Sequence, residues 1–102
     1  MIYLKVHHTQ NGGIIAMCDE ELLGKVLKSG KIELDLERYS GFYKGALLDE
    51  ERAIDAIKNV EVYSANVVGK ESIKALKTKI AVSDSDIRLV GKVPYVQIYA
   101  MI

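Results

Sequence analysis

Ile2-Tyr3-Leu4-Lys5-Val6-His7-His8-Thr9-Gln10-Asn11-Gly12-Gly13-Ile14-Ile15-Ala16-Met17-Cys18 is the stretch that decides the fold. Ile2, Leu4 and Val6 alternate with Tyr3, Lys5 and His7, the period-2 pattern of a strand with one buried face. Asn11-Gly12 supplies the positive φ of a tight turn, and Ile14 to Cys18 returns as a second strand, so the pattern predicts an antiparallel hairpin. If His7 pairs with Ile14 across that turn, Cys18 falls opposite Tyr3.

Beyond Cys18 the period changes. Asp19, Glu20 and Glu21 suit the positive end of a helix dipole, Leu22, Leu23, Val26 and Leu27 recur at helical spacing, and Gly30 follows as a stop. These signals predict a short helix over about 20–28. Lys31 to Leu36 alternates strictly as a half-buried strand, and Glu37 to Gly45, with two glycines and three aromatic residues, reads as an exposed loop or irregular edge strand. Asp49-Glu50-Glu51 opens a second helix whose inward face is Ala53, Ile54, Ala56 and Ile57. Val60 to Val68 is a strand stopped by Gly69, and Lys70 to Thr78 is a third helix with Ile73, Leu76 and Ile80 facing inward. Ser83 to Asp86 is a turn. Ile87 to Val90 and Val93 to Ile102 are strands, with Pro94 at a strand start or an edge and the isomer of the Val93-Pro94 bond left open. The fold expected is α/β of the α+β type: a two-layer sandwich in which a mixed sheet of about five or six strands carries three short helices on one face, all within a single domain, 1–102.

Composition narrows the function classes. The chain has 102 residues, 49% apolar and 27% charged, which excludes a disordered tail. One cysteine can form neither an intramolecular disulfide nor a four-cysteine zinc module. No run is long enough to span a bilayer, and the alternating N-terminus is unlike a signal peptide, so a soluble, cytoplasmic chain with no membrane partner is expected. Residues 1–51 hold six basic against nine acidic residues, a net −3, and residues 52–102 hold eight against five, a net +3. That asymmetry gives the molecule a mildly basic side if the halves separate in space.

Several constellations invite chemistry. Gly24 to Lys31 resembles a phosphate-binding loop but spaces its glycines by five residues and has Ile32 where the magnesium-binding hydroxyl belongs. His7, His8 and Cys18 suit a soft metal by type, yet adjacent strand histidines point to opposite faces and Cys18 lies ~13 Å along the hairpin from His7. The carboxylates at 19–21 and 49–51 could hold magnesium only if the two helix starts met, and capping already explains them. Cys18 directly before a helix opening is a candidate nucleophile, opposed by the neighbouring Asp19, Glu20 and Glu21. No metal and no cofactor is expected. Lys70, Lys74 and Lys77 recur at i, i+4 and i+7 on one helix face, Tyr39, Phe42 and Tyr43 stand beside Arg38 and Lys44, and Tyr95 and Tyr99 share one face of the last strand. Cations mixed with flat rings are what single-stranded RNA asks for.

Three segments carry a family resemblance: Cys18-Asp19-Glu20-Glu21-Leu22-Leu23-Gly24-Lys25, Ala65-Asn66-Val67-Val68-Gly69-Lys70 and Gly91-Lys92-Val93-Pro94-Tyr95-Val96-Gln97. On them the chain resembles, over essentially its whole length, a small archaeal family catalogued as domain of unknown function 424. The resemblance implies a two-layer α/β fold and an archaeal cytoplasm, and no particular reaction. Within the second segment, Asn66, Gly69 and Lys70 are expected to contact an anion or phosphate, because a glycine before a helix start presents free N–H groups beside a lysine.

The reading favoured by these residues is a non-catalytic module binding RNA or a ribonucleoprotein, translation-related partner through Asn66, Gly69, Lys70, Lys74, Lys77 and Tyr95. The alternative is a protein-protein adaptor or homodimer using a sheet edge or the 37–45 loop. A small enzyme built on Cys18 is the third.

Overall fold

The computed structural model describes residues 1–99. The expected strand up to Ile102 therefore lies, for its last three residues, outside the described residues. Strands β1 (Ile2–Thr9) and β2 (Gly12–Asp19) form the expected hairpin, with His7 opposite Ile14 and Tyr3 opposite Cys18. The remaining strands are β3 (Val26–Ser29), β4 (Ile32–Asp35), β5 (Ala46–Leu48), β6 (Val62–Val68), β7 (Arg88–Val90) and β8 (Val93–Tyr99). The helices are α1 (Ser40–Tyr43), α2 (Glu50–Ile57) and α3 (Lys70–Lys77).

Among the described residues six strands make one mixed sheet in the order β5-β1-β2-β6-β8-β7, in which only β2 and β6 run parallel. The fold is thus the α+β class that the element pattern predicts. Alternation along the strands sends Ile2, Leu4, Ile15, Met17, Ala65, Val67 and Val96 to one face, where Ala53 and Ile57 of α2 and Ile73, Ala75 and Leu76 of α3 close the main core. Asp49 caps α2 by accepting the Arg52 N–H at 2.8 Å.

Two expectations are corrected. Residues 20–28 do not form a helix: Glu20–Leu22 is a single 3-10 turn, and β3 pairs with β4 as a separate two-stranded hairpin. Its loop is Gly30-Lys31, with positive φ at the glycine alone, the pattern of a II′ turn whose twist matches the flanking strands. The helical spacing of Leu22, Leu23 and Leu27 arises because all three pack into a second core. Nor does everything cover one face. The β3–β4 hairpin and α1 lie on the opposite side of the sheet from α2 and α3, where Leu36 joins Cys18, Val68, Val90 and Tyr95 in the second core, with Leu34 and Tyr43 packed against it. The segment expected as a loop contains α1, held down by His7, whose Nε2–H donates to the Phe42 carbonyl at 2.9 Å while its ring stacks on Phe42 at 4.6 Å. The Val93–Pro94 bond is trans. No described helix is long and apolar enough to cross a membrane.

Candidate functional site

Helix α3 carries the lysine set, and its position is dictated from far away in sequence. Gly69 turns β6 into the helix with φ +107°. The carboxylate of Asp19, at the end of the neighbouring parallel strand β2, then takes the place of a local cap: Oδ1 accepts the Ser72 N–H at 2.8 Å and the Ser72 hydroxyl at 2.7 Å, and Oδ2 accepts the Glu71 N–H at 3.2 Å. Asp19 is 3% exposed. An external anion therefore meets Gly69, Glu71 and Ser72 N–H groups that are already engaged, the first by the Pro94 carbonyl, and the expected anion contact at Asn66 and Gly69 is corrected: the anion at this helix start is the protein's own. Asn66 is also on the wrong side. It pairs with Ala16 and Gln97 and shares the face of Cys18 and Val68, away from α3.

Lys70, Lys74 and Lys77 do come together. With Ile73, Ile87 and Pro94 they line a groove of about 250 Å³ between α3 and the C-terminal hairpin. Its floor is apolar and its charged lining is all positive. Lys74 is shared with Glu50 of α2, Nζ to Oε1 3.6 Å, an exposed pair of small energetic weight. Leu89, the cross-strand partner of Pro94, is 59% exposed and extends the apolar surface beyond the groove.

The aromatic residues do not join them. Tyr95 is buried in the second core, because odd-numbered residues of β8 face away from α3. Tyr99 shares that face and is exposed. Phe42 and Tyr43 pack edge to face at 5.1 Å over the same side of the sheet, and Tyr39 lies under the Arg38 guanidinium at 5.5 Å. The expected mixture of cations and rings is thus split across the two faces of one sheet, and Tyr95 is corrected from a surface ring to a core residue.

Cys18 is fully buried, and its thiol is pushed up to about 12, first by burial and then by the charges of Asp19 and Glu21. It is a packed hydrophobe with no access for a substrate, which corrects its reading as a nucleophile. Iodoacetamide applied to the native protein at pH 9.0, the ordinary thiol value, is expected to label nothing until denaturant is added. Stoichiometric native labelling would contradict this placement.

The carboxylates at 19–21 and 49–51 do not converge; Asp49 serves its own helix. The acidic group that does form is Asp19, Glu21 and Glu71, with one oxygen from each within 4.8 Å of the others. Both Asp19 oxygens are spent on α3, and Glu71 stands 3.6 Å from the Met1 amino group, so helix capping and charge pairing account for it. A larger cleft of about 1000 Å³ runs between α2 and the end of α3, but its walls set Asp49, Glu51 and Asp55 against Arg52, Lys58 and Lys79, which leaves no preferred sign for a ligand. Sequence reasoning found the three lysines from their spacing. It missed Ile87 and Pro94, which reach the groove from another element and carry no local signal, and the Asp19–Ser72 link, whose partners lie 53 positions apart.

A comparison with curated proteins finds no match. Among solved structures the chain is similar to the crystal structure of an uncharacterized conserved protein from Methanopyrus kandleri, with a TM-score of 0.74 and 26% identity over 96% of this chain and 90% of that one. The family model described as "Protein of unknown function (DUF424)" matches residues 6–101. All three segments that carried the resemblance fall inside that match, and the chain belongs to the DUF424 family.

Proposed function

We propose that this protein is a non-catalytic binding module whose docking surface for an anionic partner is the lysine face of α3. The observation that carries this reading is the convergence of Lys70, Lys74 and Lys77 on one groove with no acidic residue among the described residues that line it. A groove of one sign raises the local concentration of counter-charge and favours encounter with an acidic surface. Of the two partner classes the residues suggest, a protein is favoured over RNA, because stacking needs rings beside the cations and here the rings lie across the sheet. The adaptor reading therefore takes precedence over the RNA-binding one.

Titration of fluorescent polyglutamate at low and at higher salt tests the reading. Affinity is expected to fall as salt rises. The combined K70E, K74E and K77E substitutions, all at exposed positions, are expected to weaken binding at least about tenfold, at up to about 1 kcal/mol per exposed cation. An unchanged affinity in that variant, or no binding at low salt, would remove the reading.

A further inference from the structure

Resting on that reading, we infer that the partner is an acidic amphipathic segment of another protein, which seats one large apolar side chain against Ile73, Ile87 and Pro94 and sets its carboxylates against Lys70, Lys74 and Lys77. The size of the groove decides the kind of occupant. At about 250 Å³ it falls below the ~300–1,000 Å³ of pockets that hold whole small molecules, so it suits a single anchoring side chain. Its chemistry decides the rest. An apolar floor with a cationic rim complements an apolar residue flanked by acids, the arrangement of a helix laid in a groove. From Lys70 to Lys77 the rim extends roughly 10 Å along α3, about two helical turns, a span that carboxylates three to four residues apart on a partner helix can follow.

Glu50 already shows a carboxylate at that rim, 3.6 Å from the Lys74 ammonium. It is an internal competitor that an incoming acid displaces. The exposed Leu89 beside Pro94 gives the partner's apolar stripe a second contact past the anchor. A nucleic acid would use the same cations but leave the apolar floor unfilled, since no described aromatic residue lines the groove to stack a base.

The test uses the full chain and two short fluorescent peptides, both rich in glutamate, one with a single central phenylalanine and its twin with alanine there, plus a single-stranded RNA oligonucleotide as competitor. The phenylalanine peptide is expected to bind about tenfold or more tightly than its twin, the effect of burying one large apolar side chain. Both peptides are expected to lose affinity in the K70E, K74E and K77E variant. Glu50→Gln, which frees Lys74, is expected to strengthen binding by up to about fivefold. If the twin binds as well as the phenylalanine peptide and the lysine variant still abolishes both, the inferred anchor is wrong while the anionic docking face stands. If the RNA displaces the phenylalanine peptide and binds more tightly than it does, the partner class is wrong. If neither peptide binds at low salt, both the inference and the reading beneath it fall.

Discussion

Gly69→Ala is expected to destabilise the protein by about 3–5 kcal/mol, a large part of the ~5–15 kcal/mol that holds a domain of this size together. Two costs combine. Gly69 sits at φ +107°, where an L side chain is strained, and a Cβ there lands on the Asp19 carboxylate. The carboxylate cannot retreat without abandoning the N–H groups of Glu71 and Ser72 and the Ser72 hydroxyl. Asp19→Ala attacks the same junction from the other side. It leaves three donors without their acceptor, at about 1.5–3 kcal/mol for a bond to a charged group less what water recovers, so a loss of about 3–5 kcal/mol is expected here too. Because alanine at 19 clears the space that a Cβ at 69 needs, the double variant is expected to lose clearly less than the sum of the single losses. Urea denaturation of the four proteins measures this. Strictly additive losses, or Asp19→Ala within about 1 kcal/mol of the parent, would show that the carboxylate does not organise α3.

Stability is expected to fall steeply above pH 9, since the Cys18 thiol is held up at about 12 against an ordinary 9.0 and the Tyr43 phenol at about 12 against 10.0. For Cys18 the cause is burial, with the charges of Asp19 and Glu21 adding to it; for Tyr43 it is burial and then the neighbouring Cys18. Both groups are neutral when protonated. Once the pH passes their ordinary values, the unfolded chain releases the protons while the native state retains them, so the unfolded state gains. The contribution is complete below pH 9 and is lost progressively towards pH 12, at about 1.4 kcal/mol per pH unit for each group once it titrates. Cys18→Ala is expected to lower stability at neutral pH through the cavity it leaves. The same substitution is expected to flatten the decline most between pH 9 and 10, where the unfolded thiol, with the lower ordinary value, releases its proton ahead of the phenol. Denaturant midpoints measured against pH compare the two slopes; parallel slopes would place the alkaline response elsewhere.

How much of this was legible in the sequence depends on the range over which each signal acts. The β1–β2 register follows from strict alternation around Asn11-Gly12, and α2, β6 and α3 follow from their own periodicities and end signals. Residues 20–28 differ from the expected helix because Leu22, Leu23, Val26 and Leu27 satisfy a helical spacing equally well, and only the packing of Leu22, Leu23 and Leu27 against the core of Val68 and Tyr95, with Val26 left exposed, selects the hairpin. A strand pair covering the second face cannot be inferred from either strand alone. At the candidate site the lysine row is local and therefore readable, whereas the groove floor depends on β8 and the residue before β7 meeting α3 in space. The engagement of the α3 start by Asp19 is likewise tertiary: it gives the Glu71 and Ser72 N–H groups a partner inside the fold that no local signal at residues 66–70 announces.

The parallel ladder of β2 against β6 lies at the middle of the sheet and joins segments separated by everything from Glu20 to Glu61. Closing so long a loop is an entropic barrier that folding must cross before the central contacts reward it, which marks this step as a slow one. The same logarithmic law makes the connection forgiving, because doubling its length costs only about 0.6 kcal/mol. The exposed Gly30-Lys31 tip of the hairpin carried on that excursion can therefore lengthen at little thermodynamic expense, while Leu34 and Leu36 stay tied to the second core.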